Sequence, residues 1–299
     1  MSKDLANFLQ HVVNALSMSS IYILLGIGLT LIFGLSRLIN FAHGQFLVLG
    51  GFIAWQLTDE NGLGFYLAAV IAVLAVGMLG VVSDVVLFRR TMNQPMNGFV
   101  ASLGVAIGLQ AVMAKIWSAD LHQIDRPVEG VWKLGGVSIP KERVFVFAVT
   151  VVAVAALFLL LDRSRAGRSM KAVAENPDAA QLVGVNVGRS ISLSFFLGSA
   201  MAALGGVLIG TVFPFTAFSG GQLLIKGFAV ALIGGLGNVR GAALAGLLLG
   251  LVETLGSAYD LNLGFMTLGP EWRDGFAFVL MIALLAWRPQ GLFTPRERV

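Results

Sequence analysis

The 299-residue chain contains no cysteine. Disulfides, thiolate metal sites and cysteine nucleophiles are thereby excluded, although the compartment stays open. Its three histidines, His11, His43 and His122, lie far apart with no ligand spacing between any two, so no metal site is expected. The hydrolase signatures G-x-S-x-G and H-E-x-x-H are absent, and no catalytic residue is assigned. No Gly-Lys dipeptide occurs, so the chain holds no P-loop. If ATP drives it, another subunit hydrolyses the ATP, and the chain needs no cofactor of its own. The largest deficit is charge: 12% of residues are charged, against roughly 25% in a soluble domain. The missing water-facing surface is explained most simply by lipid.

What fills the chain is apolar. Hydrophobic residues make up 57%, mean hydropathy is +0.85, and there are 37 glycines. Apolar runs near the length that crosses about 30 Å of hydrocarbon recur throughout. The expected fold is an all-α polytopic membrane protein of about 8–9 transmembrane helices. Spans are placed at 12–35, 40–57, 64–88, 97–117, 143–161, 190–213, 222–237, 241–258 and 274–287. The runs at 40–57 and 222–237 are short and glycine-rich, which suits broken or re-entrant helices as well as full spans. They are also the candidates for a faint internal repeat. A secretory signal does not fit the N-terminal run: Lys3 is offset by Asp4, the run is too long, and no A-x-A site follows. It reads as a first span. The whole chain, 1–299, is expected to form one transmembrane domain with an outer loop at 118–142 and a large cytoplasmic loop at 162–189.

Orientation follows from the cations. Arg37, Arg89, Arg90, Arg163, Arg165, Arg168, Lys171, Arg189, Arg240, Arg288, Arg296 and Arg298 fall in one set of connections. Asp59, Glu60, Asp120, Asp125, Glu129, Asp260, Glu271 and Asp274 fall in the other. The first set is cytoplasmic by the positive-inside rule, and so is the C-terminus. This bias accounts for the net charge of +4 better than nucleic-acid binding does. Small residues repeat every four positions at Ser194, Gly198, Ala202, Gly206 and Gly210, and again at Ala242, Gly246, Gly250 and Thr254. Such ridges let membrane helices approach closely and are read as packing.

Ionisable residues inside spans are functional candidates, because each costs roughly 2.5–3.5 kcal/mol at the bilayer centre on the insertion scale. Asp84 and Lys115 lie near span ends, where snorkelling to the interface explains them. Lys226 and Glu253 are deeper and opposite in sign. They either pair across neighbouring helices or line an aqueous path. No span carries the series of carboxylates or histidines that a proton-coupled pump would favour. Asn40, His43 and Gln45 open the second span; chemistry favours a capped helix start at the interface, and the sharper reading places them on the translocation path or its gate.

The loop DRSRAGRSMKAVAENPDAAQLVGVNVGRS predicts two helices. The first covers about Arg165–Glu175. A break at Asn176-Pro177 follows, since residues before proline avoid helical geometry. Asn176 suits an N-cap, Pro177 the first helical position and Gly184 the residue past the end, with Asp178 favoured by the helix dipole. The second helix runs 177–183, with Ala179, Leu182 and Val183 on one side. A helix of about two turns is unstable alone, so it must dock. Anionic headgroups are one partner, but the segment carries Asp178 and no cation, which favours a groove in a protein.

The spacing of Glu175, Asn176, Ala179, Ala180 and Gly184 resembles the cytoplasmic loop of ABC-importer permeases. GLSRLINFAHGQ, AENPDAAQLVGVN and GFAVALIGGLGNVRGAALAGLLLGLVE, in that order, resemble the inner-membrane permeases for branched-chain amino acids of the LivH type. The likeness covers nearly the whole chain. Gln45 departs from it, standing where a glutamate would follow His-Gly. The resemblance implies a translocating subunit in a bacterial inner membrane, paired with a second, LivM-like permease. Two ABC ATPases carrying ATP and Mg would sit beneath the pair, and a periplasmic amino-acid-binding protein would dock outside. Residues around 176–184 would then be the coupling helix. Urea or short amides as cargo, and a secondary transporter or channel working alone, are the alternatives.

Overall fold

The computed structural model describes all residues except 1–2, 92–93, 135–136, 259–260, 263–266, 269–271, 289 and 294–299. Asp260, Glu271, Arg296 and Arg298, four of the charges that bear on orientation, lie outside the described residues. The apolar runs are helices: α1 (Lys3–Ser36), α2 (His43–Trp55), α3 (Phe65–Ser83), α4 (Arg89–Thr91), α5 (Pro95–Trp117), α6 (Lys141–Arg163), α7 (Arg165–Glu175), α8 (Pro177–Leu182), α9 (Val187–Val212), α10 (Ser219–Gly234), α11 (Val239–Gly256) and α12 (Arg273–Trp287). One π-helical turn, Gln56–Glu60, extends α2, and another, Asp84–Phe88, joins α3 to α4. Among the described residues six helical segments are long and apolar enough to cross a membrane: Ala6–Ser36, Phe65–Thr91, Met96–Trp117, Lys141–Arg163, Val187–Val212 and Val239–Gly256. With α2, α10 and α12 shorter, the chain is an all-α, multi-pass membrane protein.

The spans fall into a core and a rim. In the most apolar window of each helix, 83% of α1 and 72% of α9 is buried, against 11% of α5. The small-residue ridge of α9 lets α1 and α2 come within backbone contact: a Cβ on Gly198 would lie 2.7 Å from the Gly28 carbonyl oxygen, and one on Gly206 would collide with that of Leu47. The ridge of α11 does the same against α1, where a Cβ on Gly246 would sit 2.7 Å from the Ile23 nitrogen. Without water to drive burial inside a bilayer, this close packing supplies the association.

The short helices begin at local turns closed by side-chain hydrogen bonds. Asn40 Oδ1 accepts from the Ala42 amide at 3.0 Å, so it closes the turn before α2 and the helix starts at His43. Ser219 Oγ accepts from the Thr216 amide at 3.0 Å ahead of α10, and Gly235, at φ +93°, ends that helix. The first turns of α2 and α10 abut so closely that a Cβ on Gly44 would collide with the Gly220 carbonyl. In the 118–142 loop, β1 (Val131–Leu134) and β2 (Val137–Pro140) pair antiparallel, with Val131 opposite Pro140. An isolated bridge ties the loop to the approach to α10, with His122 and Phe215 exchanging backbone bonds of 2.9 and 2.8 Å. A second short pair, β3 (Leu261–Asn262) with β4 (Thr267–Leu268), precedes α12.

Candidate functional site

The capped loop helices form as their local signals require. Ser164 Oγ accepts from Gly167 N at 2.9 Å to start α7, and Asn176 Oδ1 accepts from Ala179 N at 3.0 Å to start α8. Gly184, at φ +83°, takes the left-handed position past the end, and its amide donates to the Gln181 carbonyl at 3.0 Å. On α8 only Ala180 turns inward; Glu175, Asn176, Asp178, Ala179 and Gly184 are exposed. Ala180 and Val173 join Ile32, Leu38, Phe88, Ile191 and Phe195 in an apolar cluster beneath the bundle. Leu182 and Val183, by contrast, are 89% and 78% exposed. A polar surface helix thus ends in two bare aliphatic side chains.

Two polar ties hold this loop to the core. Arg37, just past α1, donates to the Ala174 carbonyl at 3.2 Å. Asp162, at the end of α6, takes Lys171 Nζ of α7 at 2.5 Å and the Arg240 guanidinium of α11 at 2.8 Å. Asp84, expected at an interface, is instead fully buried. Arg89 bonds it at 2.8 Å and the Ser192 hydroxyl at 2.6 Å, joining the end of α3 to α9.

Lys226 and Glu253, far apart in sequence, meet across α10 and α11 with Nζ–Oε1 at 2.7 Å. The buried Tyr22 hydroxyl of α1 donates to the Glu253 carboxylate at 2.8 and 3.0 Å, and Lys226 Nζ stands 5.5 Å from the Tyr22 ring centroid. Lys226 also reaches Asp274 of α12 at 2.6 Å. Neither Tyr22 nor Asp274 was legible as part of this group. Tyr22 sits in an aliphatic run, and Asp274 looks like one more charge beyond a span. Tyr22 carried a weak signal, as one of three tyrosines in the chain.

Asn40, His43 and Gln45 form a second group, all buried, around the first turns of α2 and α10. His43 wedges between α1 and α9, where a Cβ on Gly28 would approach its Nε2 to 2.7 Å. Gln45 Nε2 donates to Gln110 Oε1 of α5 at 3.3 Å, and a Cβ on Gly220 would lie 2.7 Å from its side-chain carbonyl oxygen. Among the described residues Asn40 Nδ2 and Gln45 Oε1 have no hydrogen-bond partner. Among the described residues no cluster of three or more potential metal ligands occurs.

Comparison with known proteins gives this arrangement its context. Residues 11–285 match the family described as the branched-chain amino acid transport system permease component. The high-affinity branched-chain amino acid transport system permease protein LivH of Escherichia coli K12 is 31% identical, covering 98% of this chain and 97% of that protein. The corresponding BraD protein of Pseudomonas aeruginosa is 32% identical over 97% and 96%. LivM of Escherichia coli K12 is 25% identical over 94% of this chain and 69% of its own length. A match over nearly the whole chain shows that this protein belongs to the branched-chain amino acid permease family, whose members are transporter components and not catalytic enzymes.

Proposed function

We propose that this chain is a translocating subunit of an ATP-driven importer of branched-chain amino acids in a bacterial inner membrane, energised by separate ATPases that seat α8. The observation carrying this reading is the pair Leu182 and Val183. Both are aliphatic, nearly fully exposed, and held at the end of a doubly capped helix that is too short to stand alone. An apolar tip on a polar helix fits a hydrophobic groove in a partner. Ala180, on the opposite side, anchors the same helix to the bundle, so a push on α8 is passed to α1 and α9 as rigid-body motion.

The likeness to both LivH and LivM supports a permease core of two related halves, each lining one side of the path. A periplasmic binding protein would deliver the amino acid on the side of the 118–142 loop. With Arg163, Arg165, Arg168 and Arg189 around α7 and α8, that loop and the C-terminus belong in the cytoplasm. In this reading α2, α10 and α12 complete the set of about 8–9 membrane helices. Asn40, His43, Gln45, Lys226 and Glu253 are its path or gate residues.

Affinity purification of the chain from its membrane tests the assembly. Two ATPases and a second permease are expected to come with it, and a cysteine pair between residue 182 and the ATPase groove should crosslink. Leucine uptake by the purified chain alone, driven by a gradient, would overturn the reading.

A further inference from the structure

Between α1, α10, α11 and α12 lies an open cavity of about 210 Å³, far more than the roughly 10–15 Å³ one water requires. Its lining is of two kinds. Met18, Ile209, Pro214, Phe215 and Leu223 are apolar, and Lys226, Glu253 and Asp274 bring charges of both signs. It opens near the approach to α10 that is bridged to the 118–142 loop, away from α7 and α8.

We propose that this cavity binds an amino-acid zwitterion by inserting it into the Lys226–Asp274 ion pair. The inference rests on the importer reading above and deepens it by saying what the cavity recognises. The two carboxylates on Lys226 are held unequally. Glu253 is fully buried and is fixed by the Tyr22 hydroxyl as well as by Lys226. Asp274 is 67% exposed, so water can stabilise it when its contact with Lys226 opens. A ligand carboxylate takes the place of Asp274 on Lys226 Nζ, and the ligand ammonium takes the freed Asp274 carboxylate. One ion pair becomes two, no charge is created, and the Lys226–Glu253–Tyr22 unit is undisturbed. The aliphatic side chain of the ligand then lies among the apolar lining residues. A neutral solute such as urea supplies neither charge and cannot replace a contact of 2.6 Å between full charges.

The absence of native cysteine makes the cavity directly readable. Gln222 lines it and is exposed, so a Gln222→Cys chain in the assembled importer gives one site on this subunit for a water-soluble maleimide. Leucine is expected to slow labelling several-fold. Leucinamide, which lacks the carboxylate, and 4-methylpentanoate, which lacks the ammonium, are expected to leave the rate unchanged, as is urea. Asp274→Asn, a surface change that does not threaten folding, should raise the KM for leucine uptake several-fold with maximal rate retained. The proposal is overturned if leucine fails to protect while the same Gln222→Cys importer still takes up leucine. Equal protection by 4-methylpentanoate, or an unchanged KM in Asp274→Asn, also overturns it. If the unaltered importer takes up no leucine at all, it is the importer reading that fails.

Discussion

At the scale of single residues, the cost of a buried charge decides what each substitution does. Glu253→Ala would take from the Lys226 ammonium, 13% exposed, its buried carboxylate and leave it the outlying Asp274 and the Tyr22 ring. Removing one member of a buried pair typically costs about 3–5 kcal/mol. Less folded subunit and a lower melting temperature in detergent are expected, and Lys226→Met combined with Glu253→Met should recover much of the loss. A combined variant as unstable as Glu253→Ala would show that the pair is not the source of the cost. Gly184→Ala acts through the backbone. A side chain at φ +83° costs roughly 1–2 kcal/mol, which loosens the end of α8, so uptake should fall while the amount of subunit in the membrane is kept. The Lys226–Glu253 contact was half legible from the sequence. Each residue stood out as a charge in an apolar run, but the rotation of one helix against another decides whether they meet. That rotation is set by packing between the two helices, where a Cβ on Gly234 would lie 2.5 Å from the Ala242 nitrogen and one on Gly241 would collide with the Gly234 carbonyl oxygen.

At the scale of elements, α7 and α8 show what is legible and why. Their starts are fixed by Ser164 and Asn176, whose caps are bonds within three residues, and local chemistry is written in local sequence. The turns that open α2 and α10 were less so: Asn40 serves the turn and not the helix. Leu182→Asp is the matching experiment on α8. Since Leu182 is 89% exposed, the change should move the subunit's own stability by less than about 0.5 kcal/mol. Loss of ATPase co-purification and of uptake is expected from the same variant. On the ridges the prediction runs the other way. Gly206→Leu would place a side chain where even a Cβ meets the Leu47 carbonyl, so it should abolish accumulation of the folded chain. Gly104→Ala, where nothing lies within 4 Å, should not; comparing the two in a protease-sensitivity assay checks the packing.

At the scale of the whole molecule, the buried α1 and α9 form an axle and α3, α5 and α6 a rim. The loop helices hang from that axle. Arg37 ties α7 to the end of α1, and Asp162 ties it to α6 and α11. The same α1 and α11 carry Tyr22 and Glu253 at the other side of the bundle. Any free energy passed through these two ties is reciprocal: if seating α8 on an ATPase changes the cavity's affinity for leucine by some factor, leucine in the cavity changes the seating by that factor. The subunit would then report its own occupancy inward, and the ATPases would idle when nothing waits to cross. Basal ATP hydrolysis by the purified importer should accordingly rise on adding leucine, and an Asp162→Asn chain, with its Lys171 and Arg240 contacts loosened and the Arg37 tie kept, should show a smaller leucine response.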